Sequence, residues 1–265
     1  MSDFIKEYWE KITTKITTNK VLSAFIVLVI AVVIVGSISI SSYSDSTFLE
    51  GILIEAHGML FDILIIGVLI LWLNRLGERR IEVQRYKDEI DDFRHWESDE
   101  AKYRIVGNIK RLNRLNISAI NLISCYLYEA ILPRLNLQGA KLQFANLEGA
   151  ELKGANLEGA NFWRTKLQNA YLWNAKLQSA NLREAVLQGA DLTGANLQHA
   201  ILQEAKLQGA NFCDTDLTFA LFNLEQIAKV KTLYKAKMDD ELRKQIEENY
   251  PQLLTKPDWL EEKDE

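Results

Sequence analysis

The chain is poor in the residues that build chemical sites. Its 265 residues include two cysteines and three histidines. Cys125 and Cys213 stand 88 positions apart, with neither paired nor metal-like spacing, so no disulfide framework is implied. His57, His95 and His199 are scattered and form no ligand cluster. There is no G-x-x-x-x-G-K-(S/T), no G-x-G-x-x-G opening a helix, no C-x-x-C and no H-E-x-x-H. The usual signatures of nucleotide, redox and zinc chemistry are therefore missing, and no catalytic residue, cofactor or metal ligand is expected. A net charge of −5 leaves no basic footprint for nucleic acid.

The average of 48% hydrophobic and 25% charged residues hides a segregation along the chain. Val21 to Ile40 is twenty residues without a charge, the length that crosses a bilayer core. Fourteen of them are Val, Ile, Leu or Phe. At roughly −0.3 to −0.6 kcal/mol each, they favour insertion by about 4 to 8 kcal/mol. The alternative is a cleaved signal peptide, but the run is too long and Ser37 to Ser44 lacks a convincing small-x-small cleavage site. A second candidate span, Ile54 to Leu73, ends at Trp72 and contains Glu55, His57 and Asp62. Its twelve strongly apolar residues are set against one central Asp, which costs about 2.5 to 3.5 kcal/mol.

Lys6, Lys11, Lys15 and Lys20 precede the first run, and Arg75, Arg79, Arg80, Arg85 and Lys87 follow the second. Ser41 to Leu53, between the runs, has no Lys or Arg. The positive-inside rule then predicts a two-pass protein of the cell membrane with both termini cytoplasmic. The expected order is a cytoplasmic segment 1–20, transmembrane helix 21–40, external loop 41–53, transmembrane helix 54–73, and a helical linker and cap 74–119. The lipid bilayer is the first expected partner. Asp62 would sit near the midplane, opposite only Ala31, Val32 and Val33. It is read either as facing the interior of a homo-oligomer or as a protonated or water-reached Asp in a shifted span.

From Ile120 onward an apolar residue recurs every five positions. The central places run Leu122, Leu127, Leu132 and so on to Phe212, Leu217 and Phe222, twenty-one repeats in all. Two residues before each one from Leu142 to Leu217 sits a small residue, usually Ala, with Thr165 and Thr215 as variants. A period of five suits neither common element. On an α-helix of about 3.6 residues per turn the leucines would wander around every side. On a flat strand an odd period sends successive leucines to opposite faces. The pattern works only if the chain turns once per repeat, so that every Leu points to a common axis. Gly at the fifth place, as in Gly149, Gly154 and Gly194, fits a tight turn there.

ANLEG, AELKG, ADLTG and ANLQH resemble the pentapeptide-repeat pattern A-(D/N)-L-x-x, over the 105 residues Ile120 to Leu224. The resemblance implies a mainly β fold, a right-handed quadrilateral β-helix with four repeats per coil and Leu and Ala pointing inward. Roughly five coils at about 4.8 Å would make a rod about 25 Å long. Such a stack needs capped ends. Ser98 to Asn113 reads as an amphipathic helix with Ser98 as N-cap and an inner stripe of Ala101, Ile105, Ile109 and Leu112. Residues 225–265 resemble the helical tail on many bacterial members and read as a C-terminal cap with an acidic end. Val83, Tyr86, Ile90 and Phe93 keep a 3-4 spacing that raises dimerisation, though two heptads are short for a coiled coil.

Flat outward faces offer no dry cleft, so no enzyme activity is expected. Trp163, Tyr171 and Trp173 read as lying on adjacent faces of one coil, exposed, and as a candidate patch for an unidentified cytoplasmic protein partner. The alternative is scattered surface apolar residues. Gln168, Gln188 and Gln208 share a column in which a side-chain ladder is expected. Three functions follow: a membrane-tethered interaction scaffold, an oligomeric membrane effector or channel using Asp62, and a DNA mimic acting on topoisomerase, as some family members do. The last conflicts with eight Lys/Arg against nine Asp/Glu in the repeats.

Overall fold

The computed structural model describes residue 33, residues 47–258 and residue 260. The expected segment 1–20, the span 21–40 apart from Val33, and the tail 261–265 lie outside the described residues, as do the side chains of Glu55 and His57. The chain divides into two compact units, Met1–Ile81 and Glu82–Glu265.

In the first unit, helix α1 begins at Thr47 and runs to Asp92, where it has entered the second. Residues 47–53, expected as part of an outer loop, are helical. Among the described residues no helix is long and apolar enough to cross a membrane. Asp62 interrupts the apolar run of α1. The charge-free run between Asp62 and Arg75 is twelve residues, about 18 Å of helix at about 1.5 Å per residue, against a bilayer core of about 30 Å. The reading as a multi-pass membrane protein with cytoplasmic termini is corrected accordingly. The lipid bilayer loses its support as a partner with it. Asp62 is an exposed side chain on α1.

The second unit is a four-sided solenoid. Parallel bridges join each residue at the second place of a repeat to the residue twenty positions on, as in Asn121 to Lys141 and Tyr171 to Asp191. Twenty residues per coil is four repeats, one per side. The first side carries Asn121, Lys141 and Asn161; the second Tyr126, Asn146 and Lys166; the third Ile131, Glu151 and Tyr171; the fourth Asn136, Asn156 and Lys176. Every central Leu or Phe from Leu122 to Leu217 is buried, and so are the small residues two places before them from Ala140 to Thr215.

Each corner is a type II turn. The N–H of Ala155 donates to the carbonyl of Leu152 at 3.0 Å, and the fifth residue, Gly154, has φ +64°. Non-glycine residues take the same conformation at other corners, including Phe144 at +60° and Asn174 at +53°. The geometry also explains Asn or Asp at the second place. The ladder uses the N–H of the second, third and fifth residues and the turn uses that of the first. The fourth N–H is left over, and the Asn or Asp side chain accepts it: Glu158 N–H donates to Asn156 Oδ1 at 3.2 Å, and Thr193 N–H to Asp191 Oδ1 at 3.1 Å. Thr165 and Thr215 fill Ala places by donating their hydroxyls to buried carbonyls, Leu142 at 2.7 Å and Leu192 at 3.0 Å.

The N-terminal end is closed by the last turns of α1 and by α2, Asp99–Arg114. Ser98 caps α2 by accepting from the Ala101 N–H, and Ala101, Ile105, Ile109 and Leu112 are fully buried. Ile90 is buried, and Val83, Tyr86 and Phe93 pack on the same core. The 3-4 stripe thus packs within the chain.

The bridges continue past Leu224. Asn211 pairs with Thr232 and Asp216 with Lys237, a spacing of twenty-one. The extra residue comes from α3, Leu224–Ile227, a single turn that stands where a second-side repeat would be. Its capping box joins Asn223 and Gln226, and Gln226 Nε2 also donates to the carbonyls of Leu202 and Ala205 at 2.9 and 2.8 Å. Helix α4, Asp240–Asn249, and a 3-10 helix, Pro251–Leu254, cover the far end with Ile246 and Leu253. The Leu233 N–H donates to the carbonyl of Leu253 at 2.7 Å.

Candidate functional site

With twenty residues to a coil, the ten residues from Trp163 to Trp173 are half a turn. Trp163 therefore sits on the first side and Tyr171 and Trp173 on the third, opposite it, which corrects the reading of adjacent faces. The two sites also differ in character. The Trp163 ring is half-buried, meets Phe144 edge-on at 4.9 Å and lies under the Arg164 guanidinium at 4.7 Å. Its indole N–H donates to Glu184 Oε1 at 3.0 Å, while Arg164 Nε donates to the other oxygen. The indole first, and then Arg164, hold the Glu184 carboxyl below its ordinary value. Trp163 is occupied by its own corner.

On the third side Tyr171 is 47% exposed and Trp173 38%, and their rings meet edge-on at 6.3 Å. Lys153 lies over the Trp173 ring at 5.2 Å. Two coils toward the N-terminal end in the Tyr171 column stands Ile131, 57% exposed, which the sequence reading missed. The twenty-residue column was the signal that would have found it. At the corner between the second and third sides, a hollow of about 440 Å³ is lined by Tyr128, Glu129, Ile131, Glu148, Glu151 and Tyr171. A hydrogen bond to the Glu129 carboxylate pushes the Tyr128 hydroxyl above its ordinary value.

The Gln column forms no ladder: the side-chain oxygens of Gln168 and Gln188 are buried without a protein partner. Both cysteines are free and buried. Among the described residues no group of three His, Cys, Asp or Glu side chains could hold a metal ion.

A solenoid of five-residue turns, with a Leu core and an Asn or Asp bonded at each corner, defines a repeat scaffold. Residues 120–159, 145–183, 155–194 and 180–218 match a family model described as Pentapeptide repeats (8 copies). The match covers 99 of the chain's 265 residues, 120–218, and makes the solenoid similar to the pentapeptide repeats. No curated protein sequence matches the chain. Among solved structures the chain is similar to HetL, a pentapeptide repeat protein involved in heterocyst differentiation regulation from the cyanobacterium Nostoc sp. strain PCC 7120. Identity is 29% over 49% of this chain, with a TM-score of 0.38, and the match spans 62% of HetL. The pentapeptide repeat protein alr5209, also from Nostoc PCC 7120, is 26% identical over 51% of this chain and 95% of its own, with a TM-score of 0.31. Full-length QnrB1, a plasmid-mediated fluoroquinolone resistance protein, is 19% identical over 49% and 83%, with a TM-score of 0.30.

Proposed function

We propose that this chain is a protein-interaction scaffold and that the third side of its solenoid is the docking face. One observation carries the reading: Ile131, Tyr171 and Trp173 are exposed together on one side of a rod whose central leucines from Leu122 to Leu217 are buried. Aromatic side chains on a rigid support make interface anchors, because they bury large area at small conformational cost. The hydrogen-bonded ladder fixes the positions of Tyr171 and Trp173 before any partner arrives, which reduces the ordering cost of association. The reading assigns no reaction.

The test is affinity capture with full-length protein, followed by quantitative mass spectrometry. Tyr171→Ala/Trp173→Ala is expected to lose the proteins captured by the wild type. Trp163→Ala, on the opposite side, is expected to keep them. Unchanged capture by the double variant, with the circular dichroism of the wild type, overturns the proposal.

A further inference from the structure

The partner's chemistry can be read from the corner beside this face, granted the docking reading above. The hollow between the second and third sides brings Glu129, Glu148 and Glu151 together with the rings of Tyr128 and Tyr171. Elsewhere on the rod two carboxylates are neutralised across coils, Glu184 by Arg164 and Glu204 by Arg183, and the others without an ion pair, Glu158, Asp191, Asp214 and Asp216, do not share a hollow with one another. Among the described residues no ion pair engages Glu129, Glu148 or Glu151. Lys153, a cation of the third side, is held over Trp173. Three carboxylates without an ion pair, flanked by two tyrosine rings, complement a cation that is also flat, because a guanidinium stacks on tyrosine while donating to carboxylates in its plane.

A second, independent observation comes from the backbone. The first coil has no coil before it, so its second-place N–H and C=O groups need other partners. On the fourth side Asn113 supplies them: the Asn136 N–H donates to Asn113 Oδ1 at 2.7 Å, and Asn113 Nδ2 donates to the Asn136 carbonyl at 2.9 Å. On the first side Arg94 donates to the carbonyl of Ile123 at 2.8 Å. On the second and third sides, the N–H and carbonyl of Tyr126 and of Ile131 and the carbonyls of Tyr128 and Pro133 have no hydrogen-bond partner among the described residues. Ile131 is also a lining residue of the hollow. The unpaired edge and the carboxylates without an ion pair meet at one place.

We propose that this corner binds an extended, arginine-bearing segment of a partner protein. The segment's backbone pairs with the free edge at Ile131. Its guanidinium enters the hollow between Tyr128 and Tyr171, against Glu129, Glu148 and Glu151. This is strand addition at a sheet edge with one charged specificity pocket.

The probe is a fluorescein-labelled ten-residue peptide in which arginine alternates with valine, titrated by anisotropy into the full-length chain. Binding is expected, and it weakens as salt is raised because the pocket is open. Glu148→Gln/Glu151→Gln is expected to weaken it about tenfold, two exposed charge pairs being removed. N-methylation of the valine amides, which removes strand-pairing donors, is expected to weaken it as well. No binding to the wild type, or equal affinity for wild type and double variant, overturns the proposal. In the affinity capture described above, partner loss with Tyr171→Ala/Trp173→Ala but retention with Glu148→Gln/Glu151→Gln would leave the docking face standing and sink the arginine segment. Retention with both would sink the two together.

Discussion

The corner geometry makes a quantitative prediction at Gly194 and Gly159. Both occupy the fifth place of a repeat, with φ of +67° and +62°. A side chain in this left-handed conformation costs about 1–2 kcal/mol, offset by about 0.4–1 kcal/mol because alanine restricts the unfolded chain. Gly159→Ala should therefore lose about 0.5–1 kcal/mol and nothing more, since its new Cβ meets no atom within 4 Å. Gly194→Ala has the same backbone term, but its Cβ would fall 2.3 Å from Asn174 Oδ1 in the preceding coil. The amide must leave its rotamer, at about 0.5–1.5 kcal/mol. The expected total is about 1–2.5 kcal/mol. Urea unfolding of the full-length chain, followed by circular dichroism, measures both. In an Asn174→Ala background the Gly194→Ala cost should shrink to that of Gly159→Ala. Equal costs for the two single variants, or no relief in the Asn174→Ala background, would refute the account of how successive corners stack.

Two further predictions concern titration. Glu184 is held low by the Trp163 indole first and Arg164 second, so its contribution to stability is full above the unfolded carboxyl value and lost as pH falls through the lower folded one. A carbon-detected NMR titration should place its midpoint below the ordinary 4.5, and Trp163→Phe should move it upward; a wild-type midpoint at or above 4.5 contradicts this. Cys125 is pushed up to about 12 by burial, with Arg94 opposing. Its thiol favours the folded state fully below the unfolded value, about 8.5, and that preference is lost as pH rises toward 12. At pH 8, Ellman's reagent should leave Cys125 unmodified in the folded chain over a period that labels the urea-denatured chain completely, and rapid labelling of the folded chain contradicts its burial.

The repeat was legible because it is arithmetic. A Leu every five places permits one backbone path, and the buried column from Leu122 to Leu217 follows it. Helix α2 was equally legible, since Ser98 and its stripe are local signals. The opposition of Trp163 and Trp173 was latent in the same numbers, because ten residues are half of twenty. The change of register after Leu224 was not legible. The pair Asn223 and Gln226 reads as an ordinary helix cap, and only the assembled coil shows that Gln226 also reaches the carbonyls of Leu202 and Ala205. The stripe Val83 to Phe93 was visible, but spacing alone does not say whether a second copy or the chain's own core covers it. On α1 the apolar sum outweighed the interruption at Asp62, whereas a span depends on uninterrupted length as well as on the sum.

The two ends of the rod constrain what can join it. A solenoid that grows end to end needs all four edges of its terminal coil free, since each edge supplies part of the next ladder. At the start of this rod Arg94 takes the Ile123 carbonyl of the first edge, Asn113 pairs with Asn136 on the fourth, and α2 covers the leucines beneath. At the far end Gln226 takes the carbonyls of Leu202 and Ala205, while the 3-10 helix carbonyl of Leu253 takes the Leu233 N–H. Stacking a whole coil of a second copy on the N-terminal end would break the Asn113 and Arg94 bonds and expose the stripe of α2. A single extended segment at Ile131 breaks none of them. The caps thus bias the molecule against filament growth and toward a short strand on one side, where the glutamates without an ion pair and the exposed aromatics also lie.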